Sequence, residues 1–119
     1  MADMVQLDLL QGRSEPEQPV AASVLLDRGH VKVRRISLAS GAKIPPCQMQ
    51  EDVVFVVVAG RVTFRTEAQE MVVDAPGALF IPGGATTRSM EAQETSLVLA
   101  VLARRETDRP RLGEAPIEP

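Results

Sequence analysis

Two sulfur-bearing side chains, Cys47 and Met49, are the first candidates for chemistry in this sequence. They lie two positions apart, so on an extended backbone both face the same side of a strand. Thiolate and thioether sulfurs are ligands that Cu(I) prefers, but such side chains also fill apolar interiors, because sulfur is polarizable. We favour the apolar interior, since no pattern in the sequence brings Met71 or Met90 close enough to complete a metal site.

A nucleophilic Cys47 would need a nearby imidazole or another cation to favour its thiolate. His30 is the only histidine, and it begins a predicted strand that runs to Leu38, a span of about 25 Å at roughly 3.3 Å per residue. We therefore expect no dyad of these two side chains and interpret His30, which follows Gly29, as a residue at the edge of a turn. A single histidine also excludes any site that needs two imidazoles.

Arginines and a threonine in predicted strands are further candidates for ligand binding. An inward-facing arginine could bind a carboxylate or phosphate through paired N–H groups. Arg34 and Arg35 must face opposite sides, so at most one of them is interior, and Arg65 is a third candidate. Thr87, shortly after Gly83, either offers a hydroxyl to the interior or serves only as a good strand former.

Composition restricts the classes of function that the chain can have. The 119 residues fit one domain, and 45% hydrophobic residues are enough for a core. Thirteen basic residues against sixteen acidic ones give a net charge of −3, which argues against nucleic-acid and anionic-membrane binding. Stacking surfaces for bases or sugars are scarce, because the aromatic residues are Phe55, Phe64 and Phe80 alone.

The number of cysteines and the length of the apolar runs indicate in which cellular compartment the protein is expected. One cysteine permits no internal disulfide, which indicates a reducing compartment, and we expect a cytoplasmic protein. The first ten residues carry Asp3 and Asp8 and no basic residue, so we expect no secretory signal. The apolar run at 53–59 is too short to span a membrane.

Short β-prone segments between glycines and prolines predict an all-β domain. A polar segment at 11–19 reads as a linker, 42–52 as irregular with extended backbone at Pro45 and Pro46, and 53–59 with 62–66 as a hairpin through Gly60. We divide the chain into an N-terminal strand and linker (1–20), a barrel (21–103) and a charged tail (104–119). The predicted strands are 5–10, 21–26, 30–38, 53–59, 62–66, 71–73, 78–81, 86–90 and 95–102.

Two predicted strands are apolar on both faces. Residues 53–59 read VVFVVVA and residues 97–102 read LVLAVL, whereas an antiparallel strand with one wet face alternates. Exposed valines on the outer face would promote aggregation. We therefore predict a homodimer that covers this face, with a folded-back terminal segment as the alternative.

Two segments carry a family resemblance. Residues 41–60 read GAKIPPCQMQEDVVFVVVAG and resemble the first cupin motif: a glycine, five residues, His-x-His, three or four residues, a glutamate, six residues and a glycine. Residues 76–87 read PGALFIPGGATT and resemble the second motif, Gly-Asp-x-x-Phe-Ile-Pro-x-Gly-x-x-His. Over residues 31–102 the chain is similar to the small single-domain cupins of the cupin 2-like type. This resemblance implies a small jelly-roll barrel, or double-stranded β-helix, that is commonly dimeric.

The family's metal ligands map onto residues of other types. By position, the histidines of the first motif fall on Cys47 and Met49, the glutamate on Val53, and the final histidine on Thr87. Divalent Fe, Mn, Ni and Zn prefer imidazole and carboxylate donors, so a His₃Glu centre cannot form from these four side chains. A shift by one residue to Asp52 would shorten the motif and turn the valine strand over.

These observations leave three functional hypotheses. The first is a cupin that binds a small, largely apolar molecule in its lumen, or whose lumen is simply packed shut, without a metal and without a catalytic residue. The second is a cupin enzyme, an isomerase, epimerase or dioxygenase-like protein with an atypical metal or metal-free site, which needs Glu51, Asp52 or Glu91 to turn inward. The third is a dimeric structural or interaction module. The predicted lumen residues are Cys47, Met49, Val53, Phe55 and Thr87.

Overall fold

The computed structural model describes residues 4–9, 18–84 and 87–104. Within these residues the chain forms nine strands, which confirms the all-β prediction. No helix in the described segments is long and apolar enough to cross a bilayer. The strands are β1 (Val20–Asp27), β2 (Val31–Leu38), β3 (Lys43–Gln48), β4 (Asp52–Ala59), β5 (Arg61–Thr66), β6 (Glu70–Asp74), β7 (Gly77–Ile81), β8 (Thr87–Ala92) and β9 (Ser96–Ala103).

The strands form two sheets that pack as a jelly-roll sandwich. One sheet has the order β1-β2-β9-β4-β7 and the other the order β3-β8-β5-β6, and every pairing is antiparallel. The strand predicted at 5–10 is wrong for residues 5–9, which form no strand, while residue 10 lies outside the described segments. The predicted tail at 104–119 is described only at Arg104.

The hairpin predicted through Gly60 is wrong, because the chain changes sheets there. β4 pairs with β7 and β9, whereas β5 pairs with β6 and β8. Gly60 has a φ of +91°, and a Cβ atom at this position would collide with Ser96 Oγ and lie 2.5 Å from the carbonyl oxygen of Thr95. The Ser96 hydroxyl accepts a hydrogen bond from the Arg61 amide at 3.1 Å and fixes this corner.

The segment predicted as irregular at 42–52 contains strand β3. Its extended backbone agrees with the effect of Pro45 and Pro46, and the register against β8 shifts between Ile44 and Cys47, where these prolines lie. Proline lacks an N–H group and is tolerated at sheet edges and bulges. β3 satisfies both conditions, because it is an edge strand of its sheet and has a register shift at the prolines.

The core lies between the inner faces of the two sheets. The Phe55 ring of one sheet packs against the Phe64 ring of the other, with centroids 5.0 Å apart. Burying a valine, leucine or phenylalanine side chain contributes roughly 1.5–3 kcal/mol, so the core residues provide much of the free energy that joins the sheets. The largest fully buried side chains are Leu38, Val53, Val57, Val62 and Val98.

The outer face of the five-stranded sheet is also apolar. By strand alternation, Leu97 and Leu99 of β9 face away from the core residue Val98, yet they are only 4% and 8% exposed. On the same face, Val54 of β4 lies opposite Phe80 of β7, and these side chains are 37% and 58% exposed.

Candidate functional site

A cavity of about 170 Å³ lies between the sheets and is open at one side of the sandwich. Strands β2, β3, β4, β8 and β9 contribute most of its lining, so the cavity extends the core rather than forming a surface cleft. The lining residues are Ala22, Arg34, Ile36, Ile44, Cys47, Met49, Val53, Phe55, Ile81, Arg88, Ser89, Met90, Ala100 and Leu102.

Four of the five predicted lumen residues lie together in this lining. Cys47 and Met49 share a wall, as their spacing of two indicates, and Val53 and Phe55 lie on the inner face of β4. Thr87 is not among the lining residues. The predicted lumen hydroxyl is therefore replaced by the side chain of Arg88.

Strand register explains this replacement. Thr87 pairs with Gln48, whereas Arg88 pairs with Cys47, and neighbours on a strand face opposite sides. Met90 and Ala92 are buried in the core, so the period of two places Arg88 inward as well. This alternation is visible in the sequence, and it is the signal that points to Arg88.

Among the three arginines considered from the sequence, Arg34 lines the cavity. Its neighbour Arg35 faces the other side of β2 by alternation. Arg65 lies elsewhere and donates hydrogen bonds to Glu70 at 2.7 Å and to Glu91 at 3.1 Å.

The described cavity lining contains no aspartate, glutamate or histidine. Glu51, Asp52 and Glu91, the acids that an enzyme would need to turn inward, are not lining residues. Glu91 pairs with Arg65, and Asp52 Oδ1 accepts a hydrogen bond from the Gly83 amide at 2.8 Å. The formal charge of the described lining is therefore contributed by its two arginines.

Arg88 is the most unusual side chain of the cavity, because it is charged and only 4% exposed. Its Nη2 donates to the carbonyl oxygens of Pro82 at 3.1 Å, Glu51 at 3.2 Å and Met49 at 3.5 Å. Within the described part of the chain, its buried Nε and Nη1 have no hydrogen-bond partner. A buried donor left unsatisfied costs about 1–3 kcal/mol.

Burial lowers the pKa of the Arg88 guanidinium from its ordinary value, because an apolar surrounding disfavours the charged form. The neighbouring Cys47, Glu51 and Asp52 act in the opposite direction. Arginine remains protonated at neutral pH, so the cavity holds a buried cation.

The donor set does not fit the divalent metal of the cupin pattern. Cys47, Met49 and Val53 supply one thiol, one thioether and an alkyl group, and the nearby Arg88 repels a cation. Hard divalent ions need oxygen and nitrogen donors, and Zn²⁺, which also accepts thiolates, needs about four ligands where this set offers one thiol and one thioether. The described residues also include no group of three or more His, Cys, Asp and Glu side chains that could hold an ion.

Comparison with solved structures identifies the fold. An RmlC-like cupin from Desulfovibrio desulfuricans matches with a TM-score of 0.75 at 17% identity, covering 85% of this chain and 97% of that one. A cupin superfamily protein from Desulfitobacterium hafniense matches with a TM-score of 0.72 at 15% identity, covering 85% and 100%. KdgF from a Halomonas species matches with a TM-score of 0.67 at 21% identity, covering 76% and 83%.

The architecture and these likenesses together define a small cupin-fold protein, as the two sequence motifs predict. No protein-family model matches the sequence, and no curated protein matches it. At sequence identities near 20%, structural similarity shows that the fold is shared and does not indicate a particular activity.

Proposed function

We propose that this cupin-fold protein binds a small molecule in the cavity between its sheets, without a His₃Glu metal centre. The observation that carries the proposal is the cavity of about 170 Å³ with an apolar lining and a few polar groups. Small-molecule sites typically combine an apolar concave surface with a few well-placed polar groups. Cys47, Met49, Val53 and Phe55 would contact the ligand.

A metal-dependent enzyme is the weaker candidate, because neither the donors nor the charge of the cavity suits a divalent ion. General acid–base catalysis needs a titratable group beside the substrate. Among the residue types that commonly serve as general acids or bases, the described lining contains only a cysteine, Cys47.

The methionines allow a direct test of binding. Met49 and Met90 line the cavity, while Met4 is fully exposed and serves as an internal control. We expect members of a panel of small molecules to shift the ¹³C-methyl signals of Met49 and Met90 saturably and to leave the Met4 signal unchanged.

Two variants of the same strand complete this test. Ala100 lines the cavity, so Ala100→Leu fills part of it, whereas Ala103 is exposed and Ala103→Leu is the matched control. Binding should be lost in the first variant and retained in the second. Methionine signals that no member of the panel shifts, or binding that survives in Ala100→Leu, would contradict the proposal.

A further inference from the structure

Charge in the cavity is unbalanced. Two arginines, Arg34 and Arg88, line a space that is otherwise almost entirely apolar, and no acidic side chain belongs to its described lining. A buried charge is strongly disfavoured unless it is paired and hydrogen-bonded. Glu51 and Asp52 lie near Arg88 but outside the described lining, so within the cavity itself an anionic ligand would be the group that meets the two arginines.

Arg88 is held in place but only partly satisfied. Carbonyl oxygens of Met49, Glu51 and Pro82 bind Nη2 and fix the guanidinium. Nε and Nη1 have no partner within the described residues. An oxyanion accepting from these nitrogens would satisfy the remaining donors with charge-assisted hydrogen bonds, which are about twice as strong as neutral ones.

We propose that the ligand is a small carboxylate whose charged group binds Arg88, with Arg34 assisting, and whose apolar body fills the cavity against Met49, Val53 and Phe55. This inference rests on the function proposed above. In this proposal, the positive charge of Arg88 lies among the positions that hold a metal ion in the cupin pattern.

The size and the lining of the cavity restrict the class of carboxylate that can bind. A cavity of about 150 Å³ accommodates benzene, so the 170 Å³ available here suits a molecule of comparable size that carries one carboxylate. A phosphate would bring more charge and more acceptor atoms than the largely apolar walls can satisfy. Benzoate is a suitable probe, and benzyl alcohol is its neutral counterpart.

The test measures the dissociation constants of benzoate and of benzyl alcohol for the full chain, from the methyl shifts of Met49 and Met90. The buffer contains neither carboxylate nor phosphate. We expect benzoate to bind at least about tenfold more tightly than benzyl alcohol, the ratio that one charged hydrogen bond supplies. Arg88→Met should abolish this preference and leave the binding of benzyl alcohol nearly unchanged.

Arg65→Met is the matched control, because it removes the same charge from a side chain outside the cavity. It should keep the preference for benzoate. If Arg88→Met does not fold, Arg34→Met provides the second test, since Arg34 is also a lining residue and is only half-buried. Arg34→Met should reduce the preference severalfold.

The possible failures are distinguishable. Equal affinity for benzoate and benzyl alcohol, or a preference that both cavity variants retain, would overturn the carboxylate inference and leave small-molecule binding standing. Displacement of benzoate by inorganic phosphate at lower concentration would overturn it in favour of a phosphate ligand. Failure of both probes and of the whole small-molecule panel would overturn the proposed function as well.

Discussion

At the scale of single residues, the chemistry of the cavity differs from the cupin pattern in kind. Where that pattern has imidazoles and a carboxylate, this chain has Cys47, Met49 and Val53, and the adjacent cation is the Arg88 guanidinium. Donors that bind a metal ion are absent, and the charged group nearby is one that attracts anions. A substitution that restored one ligand residue of the cupin pattern would therefore leave the positive charge of Arg88 in place.

The first residue-scale prediction concerns metal content. Protein purified without added metal should carry far less than one equivalent of Fe, Mn, Ni or Zn after dialysis, because one thiol and one thioether, from Cys47 and Met49, are too few ligands to hold any of these ions. Val53→Glu should not create a metal site, since one carboxylate beside Arg88 forms an ion pair instead. Elemental analysis checks both, and a near-stoichiometric metal in the wild type would contradict the prediction.

The second residue-scale prediction concerns Asp27, the last residue of β1 before the turn into β2. Its pKa is lowered from its ordinary value, first because Oδ1 accepts a hydrogen bond from the Gly29 amide at 3.0 Å and also because Lys32 lies 3.7 Å away. A lowered carboxyl pKa in the folded state stabilises the fold above the unfolded-state pKa. This contribution is lost as the pH falls through the folded-state value.

A carboxyl titration by NMR should therefore give Asp27 a midpoint below 3.8, its ordinary value. The effect on stability should be small, because the side chain is exposed to solvent. In Asp27→Asn the corresponding loss of stability below that pH should disappear. A midpoint at or above the ordinary value would contradict this account.

At the scale of elements, the third prediction concerns the corner at Gly60. Gly60 and Gly41 both have positive φ, +91° and +82°, but a Cβ atom meets Ser96 and Thr95 at Gly60 and nothing within 4 Å at Gly41. Gly41→Ala should cost about 1–2 kcal/mol from backbone strain alone. Gly60→Ala should cost more, about 3 kcal/mol or above, because the steric clash adds to that strain.

Urea denaturation of both variants measures this difference directly. Equal losses of unfolding free energy would show that the corner relaxes and that the approach of Ser96 to Gly60 is unimportant. Because both substitutions are glycine to alanine at positive φ, the comparison separates packing from backbone conformation.

Most strands could be predicted from the sequence, because glycine, proline and β-branched residues act locally. The partner of a strand could not always be predicted. A glycine between two apolar strands is compatible with a hairpin and also with a chain that passes from one sheet to the other. At Gly60 the chain passes to the other sheet, and long-range packing determines this outcome. β3 was not predicted as a strand because it contains two prolines, which an edge strand tolerates.

The site was predictable to a similar degree. Motif spacing placed Cys47, Met49, Val53 and Phe55 together, because residues two apart on a strand share a face. Thr87 was predicted from its position in the motif, and the alternation with Met90, which would have indicated Arg88, was not used. Burial of the guanidinium depends on carbonyl oxygens from two loops, and this arrangement appears only in three dimensions.

At the scale of the whole molecule, we propose that a second copy covers the outer face of the five-stranded sheet. Val54 and Phe80 form an exposed apolar pair there, next to the buried Leu97 and Leu99. Stable interfaces bury about 1,200–2,000 Å² in total, an area that the face of a five-stranded sheet can supply. The same face accounts for strands that are apolar on both sides.

The fourth prediction is that light scattering at micromolar concentration gives twice the chain mass of 12.8 kDa. Val54→Asp should yield monomers by placing a charge within the interface. Val72 is a matched control, because it is an exposed valine on the other sheet, so Val72→Asp should remain dimeric. A monomeric wild type would contradict the proposal.

A single nitrogen of Arg88 joins the β3–β4 connection, through Met49 and Glu51, to the β7–β8 connection, through Pro82. The amide of Gly84 also donates to the Met49 carbonyl at 3.0 Å. The two connections are thus clasped together by the residue that we propose senses the ligand's charge. A ligand bound to Arg88 would therefore affect how firmly the β3–β4 and β7–β8 connections are held to each other.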